Sequence, residues 1–160
     1  MSTTKNVIDV DLSLTDRTPV RFSKDDSRVV LLNLSDMNIL RRIEETYPKL
    51  HNLQIEASKI AEGTTTDSDD SDEVMANIHL MSGRLQEVDR KMRDLIDFMF
   101  DAPVSAAAVP SGSMYDPFAG SFRYEYLITV LMEQYSKEFK SEFSKMEKRM
   151  KEHTTKYTGK

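Results

Sequence analysis

Eight apolar residues, Val74, Ile78, Met81, Leu85, Val88, Met92, Leu95 and Met99, recur at steps that alternate between 4 and 3. A half-buried strand would alternate at every second residue instead. The longer period, held over more than three heptads, points to a helix that lies lengthwise against another helix. Asp70 and Glu73 stand just ahead of the first apolar position, spaced as a capping box. Together they predict a helix over residues 71–100. Gly83 falls inside it and costs about 1 kcal/mol relative to Ala unless it permits close approach of a partner.

The flanking segments offer two internal partners for this seam. Ser35 or Asp36 is placed to cap a helix over residues 36–61, in which Leu40, Ile43, Tyr47, Leu50, Ala57 and Ile60 keep steps close to 3 and 4, with Leu53 near the missing position. Pro48 interrupts the pattern and removes one backbone hydrogen bond at a cost of about 3 kcal/mol, so a kink or a break is expected there. Residues 62–73, EGTTTDSDDSDE, are acidic and small, the composition of a solvated linker. Asp67, Asp69 and Asp70 lack the spacing and the following Gly of a calcium loop. Residues 101–121 carry Pro103, Pro110, Pro117, Gly112 and Gly120 and are expected to be irregular. A last helix is predicted over residues 122–152, with Tyr124, Leu127, Leu131, Tyr135, Phe139, Phe143, Met146 and Met150 as its stripe. Ile128, Val130 and Met132 widen the early half, and the later half narrows and turns basic. The final HTTKYTGK is expected to fray.

Residues 1–34 do not look helical. Ile8, Val10, Leu12 and Leu14 alternate with polar residues as a half-buried strand would. Pro19-Val20-Arg21-Phe22 is a second extended piece, Lys24-Asp25-Asp26-Ser27 is turn chemistry, and RVVLLNL from Arg28 is a third strand. The expected fold is therefore mainly α. It is an elongated three-helix hairpin or bundle, residues 35–155, with a small N-terminal β-hairpin or sheet within residues 1–34.

The chemistry of the chain narrows its function. Among 160 residues there are no cysteines, so neither a disulfide framework nor a thiolate nucleophile is available. The formal charge of -5 argues against general nucleic-acid affinity, although the last helix carries a basic end. No apolar run approaches the roughly 20 residues of a membrane span, and the N-terminus lacks a signal pattern. A soluble cytoplasmic protein is expected. His51, His79 and His153 lie in separate segments without metal-ligand spacing, and no phosphate-binding or nucleophile motif is present. No catalytic residue, metal or cofactor is expected, and the chain is not expected to be an enzyme. Protein–protein interaction fits better. The ten Met residues suit adaptable apolar faces as well as core filling. The candidate partner-binding residues are Met114, Tyr115 and Phe118 in the Pro/Gly loop, and Tyr135, Phe139, Phe143, Met146 and Met150 on the last helix. The seam itself is expected to form the core, and a homo-oligomer is compatible with it.

Two stretches carry a family resemblance. LNLSDMNILRRIEETYPKLHNL, residues 32–53, resembles the Ser-Asp-(Met/Leu)-Asn-(Ile/Leu) opening of small proteins encoded in tail-gene clusters of tailed phages that infect Gram-positive bacteria. DLIDFMFD, residues 94–101, followed by MYDPFAG and a helix, resembles their late segment. The turn here reads Pro-Phe-Ala-Gly in place of Phe-Gly, and the Ala-rich run 105–108 stands as an insertion. The resemblance, which spans about residues 30–155, is to tail assembly chaperones. It implies a protein of the host cytoplasm that binds the tape measure protein, keeps its long apolar helices soluble and assists tail-tube subunits in assembling around it. A structural virion or scaffold component, or a general helical adaptor, is the alternative.

Overall fold

A computed structural model describes residues 6–12, 17–64 and 69–158. The chain is mainly helical, with a small antiparallel N-terminal sheet. Two strands, β1 (Thr18–Arg21) and β2 (Val29–Leu32), lead into α1 (Asn38–Glu62) and α2 (Ser71–Phe100). A short α3 (Val104–Ala108) and the two-residue strands β3 (Pro117–Phe118) and β4 (Ser121–Phe122) follow, and α4 (Arg123–Thr158) closes the chain.

Helices α1 and α2 form the antiparallel hairpin that the heptad seam requires. Asp70 is the N-cap of α2, and its carboxylate accepts the amide of Asp72. At the other end Asp101 adopts a left-handed conformation (φ 50°), while Ala102 donates to the carbonyl of Asp97 and Asp101 to that of Phe98. These two bonds close a Schellman turn. Helix α1 runs through Pro48 without a break. Its N-terminus is tied by Asp36, which accepts the Asn38 amide at 2.9 Å and pairs with Arg42 at 2.8 Å.

Burial along the seam is graded. Val88, Met92 and Met99 are enclosed, Val74, Met81, Leu85 and Leu95 are half-buried, and Ile78 is largely exposed. The core therefore sits at the open end of the hairpin, where Ile96, Phe100, Val104 and Val109 join it. On α1 the second half buries the expected Leu50, Ala57 and Ile60, whereas in the first half the buried face is offset from the expected one. Ile39, Thr46, Leu50, Gln54, Ala57 and Ile60 point inward, while Leu40 and Tyr47 are exposed. The hydroxyl of Thr46 is satisfied by the Arg42 carbonyl at 2.6 Å, which permits a polar residue on the core side.

The sheet covers the same end. β1 pairs antiparallel with β2, Val20 opposite Val30. Val30 and Leu32 face the core and Val29 and Leu31 face out. The turn between the strands places Ser23 and Lys24 at positive φ, and Asp25 accepts both the amide and the hydroxyl of Ser27. The strand expected at Ile8 to Leu14 is corrected at its described part. Ile8, Val10 and Leu12 are irregular and 73% or more exposed. Leu14 lies outside the described residues. α4 extends through Thr158, six residues beyond its expected end, and includes the start of the segment expected to fray.

Candidate partner-binding surface

Positioning of α4 begins on α2. Asp89, Arg93 and Asp97 lie one turn apart, and the spacing of Asp89 and Arg93 suggests a solvated i,i+4 pair on the outer face. Instead all three are turned to the loop that follows α2. The Arg93 guanidinium pairs with Asp89 at 2.7 Å and donates to the carbonyls of Val109 and Gly112, both at 2.9 Å. Asp97 accepts the amide and hydroxyl of Ser105. Asp89 accepts the amide of Met114 at 2.7 Å. Arg28 of the sheet donates to the carbonyls of Ala107 and Ala108, two of the orphaned acceptors at the end of α3. The Pro/Gly segment is thus a fixed bracket, held by charged groups that bind its backbone.

That bracket presents the first turn of α4. The amides of Arg123 and Tyr124 donate to the carbonyls of Asp116 and Met114, at 2.8 and 3.0 Å. Arg123 also pairs with Asp116 at 3.0 Å. Gly112 turns the chain at φ 95°, and a Cβ there would meet the Arg123 guanidinium. The first half of α4 is then buried along Tyr124, Leu127, Ile128, Leu131 and Tyr135. Burial pushes the Tyr135 phenol up to about 12 and raises that of Tyr124 as well, because the charged form would lose its hydration.

After Phe139 the body ends and α4 continues. From Lys140 to Thr155 every side chain is exposed except Glu142, which is half-buried. The apolar stripe does not stop with the body. An aromatic ladder runs from Phe100 to Tyr135, Phe139 and Phe143, with ring centroids 6.2, 6.2 and 6.4 Å apart. It carries the stripe from the core onto the projecting arm. Phe143, Met146 and Met150 are 47%, 53% and 70% exposed.

The candidate residues therefore divide. Phe143, Met146 and Met150 share the uncovered face of the arm, and Phe139 is half-buried at its root. Met114 and Tyr135 are enclosed in the core and offer no surface to a partner. Tyr115 is half-buried. Phe118 is exposed, but on a separate patch, where its ring meets Tyr126 edge-on at 5.1 Å and the Arg123 guanidinium lies 5.7 Å from its centroid. A groove of about 390 Å³ beside it is lined by Phe22, Arg28, Val109, Tyr126 and Val130. Tyr126 and Val130 were not among the sequence candidates. Both stand on the flank of the first half of α4 that looked apolar on several sides.

Among the described residues no group of three His, Cys, Asp or Glu side chains is placed to hold a metal ion, and no helix is long and apolar enough to cross a membrane. The chain matches no family model, no curated protein and no solved structure.

Proposed function

We propose that the protein is an assembly chaperone that acts by binding, in the manner of the tail assembly chaperones that its sequence resembles. Its client is then an apolar helical protein, the tape measure protein of a tailed phage, bound in the cytoplasm of the host cell, and tail-tube subunits assemble around the client it delivers. No catalytic residue or cofactor takes part. One observation carries this reading, the Phe143, Met146 and Met150 stripe that continues the core seam onto an arm over which, among the described residues, nothing packs. Such a face suits a helix laid alongside it, and flexible thioethers let it accept more than one sequence.

Co-expression with the tape measure protein of the phage that the resemblance implies tests the proposal. The client stays soluble and co-purifies with the wild-type chain, and Phe143→Ser with Met146→Ser releases it. An insoluble client with no complex sinks the reading. Stoichiometric recovery of this protein in purified virions points instead to a structural component.

A further inference from the structure

The arm carries enough information to say what else covers it. Phe139, Phe143, Met146 and Met150 follow steps of 4, 3 and 4, the core positions of a two-stranded coiled coil. The heptad positions before and after them are Ser136 and His153, so the apolar seam has four layers and polar ends. The positions that flank the seam are Lys140 and Glu147 on one side and Glu142 and Arg149 on the other. Lys140, Glu147 and Arg149 are exposed and Glu142 is half-buried. Among the described residues Glu142 and Glu147 make only intrahelical ion pairs, with Lys145 and Lys151. Among the described residues Lys140 and Arg149 make no ion pair.

We propose that the arms of two copies pair side by side in opposite directions, Phe139 against Met150 of the second copy and Phe143 against Met146. In an antiparallel pair each flanking position meets its own kind across the seam. This register brings Glu142 to Arg149 of the second copy on one side and Lys140 to Glu147 on the other. Two-fold symmetry repeats both, so four flanking contacts are all between opposite charges. The alternatives fail on the same residues. A shift by one heptad in one direction sets Glu142 against Glu142 of the second copy. A shift the other way sets Arg149 against Arg149 and Glu147 against Glu147. A parallel pair in register sets Glu142 against Glu147. Like charges in these positions are unfavourable, so the charge pattern selects one orientation and one register. The overlap of four layers spans about 16 Å of helix. The pairing is therefore short and reversible, and it covers the same stripe that a client would occupy, so the two exclude one another.

Sedimentation velocity of the full chain over a dilution series tests this. A concentration-dependent dimer is expected. Glu142→Arg alone, or Arg149→Glu alone, places like charges at two symmetric sites and weakens association by about tenfold. Both changes in one chain restore it, and so does an equimolar mixture of the two single variants, because each then meets its opposite on the other copy. Both substituted residues lie on the projecting arm, and far-ultraviolet circular dichroism verifies that helix content is retained. A chain that stays monomeric at every concentration overturns the proposal. So does a dimer indifferent to the single reversals, or a double variant that remains as weak as either single one.

Discussion

Asp97 and Ser105 are joined twice: the carboxylate accepts the Ser105 amide at 2.8 Å and the Ser105 hydroxyl at 3.0 Å. Ser105 is 3% exposed, so both donors would be buried without an acceptor if the carboxylate were removed. The loss is about 2 kcal/mol, set by the unsatisfied donors more than by the bonds themselves. Asp97→Ala should therefore lower the melting temperature and raise amide exchange across residues 104–109 while leaving the far end of the α1–α2 hairpin protected. Uniform loss of protection would show that the bracket has no local role.

Gly83 has open space where its Cβ would stand, and it lies mid-helix in α2. Among the described residues nothing occupies the gap. Gly83→Ala should then stabilise the protein by about 1 kcal/mol, through helix propensity alone. Chemical denaturation reads this as a higher midpoint with an unchanged slope. A destabilised variant would mean that something in the assembled state needs the missing side chain.

Gln54 is 4% exposed, and among the described residues its buried Oε1 has no hydrogen-bond partner, although its Nε2 reaches the Ser58 hydroxyl at 3.3 Å. An orphaned acceptor costs about 1–3 kcal/mol. Gln54→Met, which nearly preserves shape, should raise stability by about 1 kcal/mol in equilibrium urea unfolding. No gain, or a loss, would place an unseen donor at that oxygen.

Tyr135 sets an alkaline limit. Its phenol is pushed from the ordinary 10.0 up to about 12 by burial, so the folded state favours the neutral form. That contribution is fully present below about pH 10 and is lost as pH rises towards 12. In a spectrophotometric titration Tyr135 and Tyr124 should ionise above the ordinary tyrosine value of 10.0. Tyr135→Phe should remove part of the stability loss above pH 10. Titration of both at the ordinary value of 10.0 contradicts the buried environment.

The three long helices were legible because their apolar period persists over many turns, and repetition averages out single exceptions. Phase was less legible. Leu40 and Ile39 are adjacent, and which one faces inward depends on where Thr46 and Gln54 find tolerable burial, which spacing does not report. Alternation at Ile8, Val10 and Leu12 shows only that those residues suit a half-buried strand. It does not provide the paired edge a strand needs. Proline and glycine marked residues 101–121 as irregular, but irregular is not loose. Asp89 and Arg93 have the spacing of any solvated pair, and their real acceptors and donors are backbone groups as far as 25 residues away. The same bracket explains why Met114 looked available and is enclosed. The stripe of α4 is continuous in the sequence, whereas the body ends partway along it and separates Tyr135 from Met150.

Helix α4 has neither glycine nor proline between Arg123 and Thr158. One unbroken rod therefore spans the buried half and the arm, and the arm reaches about 28 Å past Phe139. A rod without a hinge behaves as a lever. Torque applied at Met150 is not absorbed midway but arrives at its fulcrum, where Tyr124 is bonded to Met114 and Met114 to Asp89. Load on the tip is thus passed through the bracket to Asp89 of α2, many turns from where it is applied.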